Sequence, residues 1–299
     1  MTTAASPEAV GDLLRDWRQR RRFSQLELAG DAEVSTRHLS FIERGKAAPS
    51  RDMLLRLAEH LAIPLRERNR LLLAGGFAPL HLERSMDAAD MSAARAAVEA
   101  VLAGHEPFPA LAIDRHRNLV AANPAIARLL EGVAPWLLEA PVNVFRLSLH
   151  PEGLAPRIVN LVEWRHHLLH RLRCEVDTSA DPTLAALLDE LRALPRPFNR
   201  GPSPPTNGIA IPLKLRDTRS GVTLSLLSTT TVFGTATDIA LAELTLECFY
   251  PADEATREAL ICFAKELTMT PNLVDSESAP PAAACRHQPP QTTRHSFPG

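Results

Sequence analysis

The 299 residues suffice for two domains, and 45% hydrophobic with 23% charged content is that of an ordinary globular protein. A formal net charge of −2 excludes a basic protein that coats DNA along its whole length. The charge is uneven, however: residues 1–80 carry 13 Arg plus Lys against 10 Asp plus Glu, and the remainder 20 against 25, so nucleic acid is expected at the first part and not the second.

Cys174, Cys248, Cys262 and Cys285 form no CxxC pair, which excludes a zinc ribbon. Scattered thiols and a start without an apolar core predict a cytoplasmic protein. No stretch reaches the roughly 18 apolar residues of a membrane span, so no membrane insertion is expected.

Residues 1–7 are small and polar and read as a flexible N-terminus. A helix is expected from Pro7 or Glu8, capped by Ser6, with Val10, Leu13, Leu14 and Trp17 on one face. The basic run Arg18, Arg20, Arg21 and Arg22 serves equally as a solvated edge or as a phosphate contact. Ser24 and Glu27 have the spacing of a capping box, Ala29 is small where a second helix must cross, and Ser35 caps the helix that follows. In that helix Leu39 and Ile42 turn inward, whereas Thr36, Arg37, Ser40 and Phe41 turn outward, as a helix-turn-helix needs. Gly45 suits a left-handed cap. Ser24 and Gln25 put a helix N-terminus against phosphate. Ser50 opens a fourth helix with Met53, Leu54, Leu57, Ala58 and Leu61 inward, and Leu65 to Leu73 forms a fifth, closed by Gly75 and Gly76.

The motif S-Q-x-E-L-A followed by V-S-x-x-x-L-S-x-I-E-x-G-x-x-x-P-S resembles the Xre family of helix-turn-helix proteins. The resemblance implies an all-α, five-helix, lambda-repressor-like domain over residues 8–76. It also implies that Gln25, Thr36, Arg37 and Phe41 contact bases or phosphates and that Arg44, Lys46, Ser50 and Arg51 meet the DNA backbone. With Ser24, Ser35 and Ser40 these are the candidate DNA contacts, and the partner is a double-stranded operator bound by a homodimer. One position departs from the pattern: Glu33 stands where the turn usually has Gly, and a left-handed residue there costs about 1 kcal/mol.

Residues 77–104 read as a linker with an alanine-rich helix from Ala93 to Leu102. Phe108–Ile113 and Leu119–Asn123 read as strands around the polar turn 114–118, followed by a helix at Pro124–Leu130 capped by Asn123, an opening like that of PAS sensors. Further expectations are a helix from Pro151 to Cys174, another from Asp181 to Leu194, a Pro-rich loop at 195–207, strands at Gly208–Leu215, Val222–Phe233 and Asp238–Tyr250, and a helix at Glu254–Leu267. That order is α+β, with an antiparallel sheet packed on one side by helices. The segments LVAANPAIARLL, NVFRLSLHPEGLAPRIVNL and LSLLSTTTVFGTATDIALAELTLECFYPADEAT resemble the MmyB-like ligand-binding domain behind Xre-type domains. The resemblance implies a PAS-like fold over residues 105–268 with an apolar cavity for a fatty-acid-like molecule.

Phe145, Trp164 and Phe233 are candidates to line that cavity, and Arg146 or Arg157 to meet a carboxylate. Glu163, His166 and His170 share a helix face, but without HExxH or a second ligand group no metal is expected. No GxSxG, Walker or GxGxxG motif occurs, so neither cofactor nor catalytic residue is assigned and no enzyme is expected. A protein-interaction module is the alternative for the second half, favoured by an exposed apolar patch over an enclosed pocket. The Pro-, Ser- and Thr-rich tail 269–299 is expected to be disordered.

Overall fold

A computed structural model describes residues 9–86, 88–195, 210–234 and 236–269. The first helix, α1 (Val10–Arg20), begins at Ala9 with no side-chain cap, and the expected Ser6 cap lies outside the described residues. Helices α2 (Gln25–Asp31), α3 (Thr36–Glu43), α4 (Arg51–His60) and α5 (Leu65–Ala74) complete a five-helix domain. Three serines set three of its helix starts: Ser24, Ser35 and Ser50 accept from the backbone N–H of Glu27, His38 and Met53. Each such cap stabilises by about 1 kcal/mol. The carboxylate of Glu27 returns a bond to the Ser24 N–H, and that bond holds its pKa below the ordinary range. Leu14, Leu28, Leu39, Ile42, Leu54, Leu57 and Leu61 are fully buried in one core. Gly11 lets α1 cross α3 closely, since a Cβ there would stand 2.3 Å from the Ile42 carbonyl oxygen. The turn before α3 accepts the strain foreseen at Glu33, which has φ 54°, and Gly45 closes α3 at φ 67°.

Residues 77–86 run along α5, where the Asn69 side chain holds the backbone of Leu80 and His81. Helix α6 (Ser92–Gly104) then leads to a five-stranded antiparallel sheet of β1 (Ala110–Ile113), β2 (Leu119–Ala122), β3 (Leu213–Arg216), β4 (Thr223–Val232) and β5 (Thr245–Pro251), in the order β2-β1-β5-β4-β3. Helices α7 (Ala125–Leu129), α8 (Val144–Leu149), α9 (Leu161–Ser179), α10 (Pro182–Ala193) and α11 (Ile239–Ala242) fill the connections, and α12 (Glu254–Met269) follows β5.

The sheet is covered on both faces, which corrects the one-sided packing expected. Along β1, Leu111 and Ile113 enter the large core, whereas Ala110 and Ala112 meet Val98 and Leu102 of α6 on the opposite face. The small alanines let α6 approach, and this is why all four β1 residues are buried.

Three further expectations are corrected. The helix expected from Pro151 begins only at Leu161. Residues 144–149 are already helical, capped by Asn143, and a tight turn follows in which a Cβ on Gly153 would meet the Leu147 carbonyl oxygen at 2.1 Å. Ala155–Arg157 form a single 3-10 turn around Pro156, which has no N–H to donate, and Ile158 then bridges to Leu215, which keeps the chain out of a continuous helix before α9. The strand expected from Asp238 begins at Thr245, because Asp238 caps α11 through the Ala240 N–H. Asn123 does not cap α7: its side chain accepts from Ala110 N and donates to the carbonyls of Leu102 and Phe108, tying α6 to β1.

Candidate DNA interface and sensor cavities

Helix α3 packs on α1 and α2, and its outer face is open. On that face Phe41 lies between two guanidinium groups, those of Arg37 and Arg44, each 5.4 Å from the ring centroid. Such contacts orient long side chains at about 0.5–1 kcal/mol each. Arg44 also donates from Nε to the Ser40 carbonyl at 3.0 Å. Thr36 and Ser40 are half-buried, Arg51 likewise, and Ser35, Arg37, Arg44, Lys46 and Ser50 are exposed. Ser24, Ser35 and Ser50 use their oxygens as caps, which leaves each hydroxyl proton free to donate to a phosphate.

Gln25 has a second commitment. Its amide donates to Glu43 Oε2 at 2.7 Å, and the same carboxylate accepts from Arg18 Nε at 2.7 Å and Nη2 at 2.9 Å. Glu43 is 3% exposed. This carboxylate joins α1, α2 and α3. Sequence reasoning missed Glu43, although Leu39, Ile42 and Glu43 stand at i, i+3 and i+4 and therefore share the inward face. Arg18 is thus drawn inward. Arg21 is drawn to the Leu61 and Ala62 carbonyls, so of the basic run only Arg20 and Arg22 are exposed.

In the second domain an apolar cavity of about 80 Å³ lies between the sheet, α7, α8 and α9. Phe145 and Trp164 line it, and Trp164 Nε1 donates to Ser148 Oγ at 2.9 Å. Arg146 does not enter it, because Glu190 holds that guanidinium at 2.5 and 2.7 Å near the surface. Arg157 donates to the carbonyls of Leu129, Glu131 and Arg216, and burial pushes its pKa down. Phe233 packs on the opposite face of the sheet with the α6 cluster. The residues that sequence reasoning missed are Glu247, which lines the cavity opposite Leu111 in the β1–β5 ladder, and Arg171, which pairs with it at 2.6 Å. Strand alternation is the signal for Glu247, since β5 sends residues 247 and 249 to one face.

His166 and His170 stack at 6.4 Å, and among the described residues no group of three His, Cys, Asp or Glu is arranged to hold a metal ion. A buried pair, Arg128 with Asp217, bonds twice at 2.9 Å. Burial alone would push the Asp217 pKa up. The Ser220 N–H, Arg128 and the Ser220 hydroxyl outweigh it and bring the carboxyl down to about 2.

The domains meet through α5. Arg66 holds Glu243, just after α11, at 3.0 Å and also pairs with Glu83 at 2.6 Å. The Ile239 N–H donates to the Leu82 carbonyl, and Arg84 pairs with Asp238 at 3.0 Å. α5 is thus committed to the sensor side while the outer face of α3 is open.

A helix-turn-helix domain joined to a sensor domain defines a DNA-binding transcription regulator. The chain belongs to the family of the MmyB-like transcription regulator ligand binding domain, whose model matches residues 94–261, and a helix-turn-helix domain model matches residues 9–71. The crystal structure of the clp gene regulator ClgR from Corynebacterium glutamicum is similar at 25% identity over 34% of this chain and 94% of that one, with a TM-score of 0.21. The structure of an RNA-binding Light-Oxygen-Voltage receptor is similar at 16% identity over 88% of this chain and 64% of that one, with a TM-score of 0.23. No curated protein matches. Among the described residues no helix is long and apolar enough to cross a membrane.

Proposed function

We propose that this regulator binds one operator sequence as a homodimer in the cytoplasm, reading bases with Arg37 and its neighbours, and that a small apolar ligand in the second domain sets its affinity. The observation that carries the reading is the Arg37–Phe41–Arg44 stack on the open face of α3. Stacked guanidinium groups are pre-oriented for the bidentate contact that recognises guanine O6 and N7. No enzymatic step is assigned.

For the ligand, the cavity supplies apolar walls with only Ser148 and Glu247 as polar groups. At about 80 Å³ it is smaller than the roughly 150 Å³ cavity that takes benzene. A fatty-acid-like chain therefore enters only if α8 and α9 part from the sheet. That difference between closed and parted states is what lets a ligand shift the population.

The test is selection of random DNA by the full chain at fixed salt. The expected product is an inverted repeat whose half-site centres lie about 34–36 Å apart, or a multiple of that. Recovery of sequences no different from the starting pool overturns the reading.

A further inference from the structure

The lining of the apolar cavity holds one ionisable side chain, Glu247, and no arginine, lysine or histidine. The strand register puts Glu247 there. Side chains alternate along β5, so Leu246 and Cys248 meet α6 while Glu247 and Phe249 turn to the cavity. Glu247 is 7% exposed.

Its carboxylate is charge-paired, yet it accepts no hydrogen bond among the described residues. Oε1 stands 2.6 Å from Arg171 Nη1 as an ion pair without hydrogen-bond alignment, and it is sealed from solvent. Oε2 has no partner among the described residues. A buried acceptor with empty lone pairs is costly until a donor arrives. Because Arg171 closes off Oε1, Oε2 is the oxygen through which Glu247 can meet a molecule in the cavity.

The lining discriminates between head groups. A carboxylate meets no cation there and is opposed by the carboxylate already in place. Arg171 does not relieve this, since its other donors face Glu175 at 3.5 Å and Thr230 Oγ1 at 3.4 Å. Arg146 and Arg157 are held elsewhere, by Glu190 and by backbone carbonyls. An ammonium finds the charge of Glu247 already balanced by Arg171, and is buried without a counter-charge of its own. A hydroxyl or an amide N–H supplies the donor that Oε2 lacks and brings no charge. Ser148 offers the complementary group: its oxygen accepts from Trp164 Nε1 at 2.9 Å, which leaves the hydroxyl proton free to donate.

We infer that the cavity selects an apolar molecule with a neutral, hydrogen-bond-donating head group, a hydroxyl or an amide, over an acid of the same chain length. This rests on the reading of the cavity as the ligand site and names the chemistry of its ligand. Glu247 is the residue that sets the selection, by accepting the head group and repelling an anion.

Isothermal titration of the full chain with octanol, heptyl methyl ether, octanoate and octylamine, at neutral pH and fixed salt, tests it. The ether has the size of octanol and lacks only the donor. Octanol is expected to bind tighter than the ether by about tenfold or more, as a hydrogen bond to a charged acceptor gives, and tighter than octanoate and octylamine. Glu247→Gln keeps the side-chain shape and is expected to shrink the preference for octanol over octanoate by about tenfold or more. If Glu247→Gln does not fold, the ligand series on the wild-type chain decides alone. Binding of the ether, octanoate or octylamine as tight as that of octanol overturns the inference and leaves the apolar-ligand reading standing. Absence of saturable binding for the whole series overturns both.

Discussion

Replacing Glu43 by Gln should loosen the recognition helix from the rest of the DNA-binding domain. The substitution keeps the side-chain shape and removes the charge that three donors share. Arg18 is left 11% exposed with its counter-charge gone. Breaking a buried pair by removing one partner costs about 3–5 kcal/mol. The partial exposure of Arg18 lowers the figure to about 2–3 kcal/mol, because water reaches one edge of the guanidinium. In a domain of 60–100 residues each kcal/mol shifts the midpoint by about 4–8 °C, so the first calorimetric transition should fall by roughly 10–20 °C. Arg18→Met combined with Glu43→Leu is the control. An apolar pair of similar volume is near neutral or stabilising, so the double variant should recover most of the loss in stability. Operator affinity should fall in both, since Gln25 loses its anchor in each. A Glu43→Gln midpoint within about 3 °C of wild type, or a double variant less stable than the single one, refutes the reasoning.

The remaining expectations concern DNA reading and acid stability. Arg37→Ala should cost about 1–3 kcal/mol on the operator and relax preference at one base pair, checked by anisotropy on single-base variants; equal loss on operator and scrambled DNA removes its base-reading role. Lys46→Ala should weaken all sequences alike and reduce the slope of log affinity against log salt by about one. Asp217 has a folded pKa of about 2, below the ordinary 3.8, so it contributes stability that is present above pH 4 and is lost as pH falls toward 2. The shift corresponds to about 2 kcal/mol. Asp217→Asn should therefore flatten the acid limb of the second domain's stability between pH 4 and 2, and an unchanged limb would count against a paired native carboxylate.

The helix-turn-helix was legible because its determinants are local. Ser24, Ser35 and Ser50 announce helix starts within three residues of the N–H groups they accept from, and Leu39 and Ile42 declare the inward face within one turn. Glu33 could be flagged from the pattern alone. Its φ of 54° required the structure, because the alternative of a different turn was sterically open. The second domain was less legible where distant partners override local preference. The apolar spacing of Ile158 and Leu161 continues a helical pattern, yet the bridge from Ile158 to Leu215 draws that segment out of the helix. Asn123 looks like a cap because it precedes Pro124, but its amide is taken by backbone groups of Leu102, Phe108 and Ala110. Arg146 and Arg157 were attractive as carboxylate ligands by residue type. Glu190 and three backbone carbonyls claim them from 26 to 59 positions away, separations that no pattern along the chain reveals.

On the proposed reading, the contacts that link the second domain to the DNA-binding domain run through one short segment. Glu247 lies in β5 and lines the apolar cavity, while Glu243, four residues earlier, holds Arg66 of α5. Between them Leu244 and Leu246 are buried against α6, so the segment is clamped on its other face. A ligand that parts α8 and α9 from the sheet disturbs the Arg171–Glu247 pair at one end of this segment. The clamp at α6 prevents the strand from absorbing the change by sliding backward, which leaves Glu243 and Arg66 to take it up. α5 packs on α1 and α4, and α1 carries Arg18, whose partner Glu43 lies in α3. Every step in this series is an ion pair or a packed apolar contact, so it has discrete arrangements rather than a continuum. Arg66→Ala should then separate the two halves: operator binding persists, and its dependence on any ligand of the second domain is lost. Persistence of the ligand effect in Arg66→Ala, measured by anisotropy with the same operator at the same salt, would mean that coupling passes elsewhere.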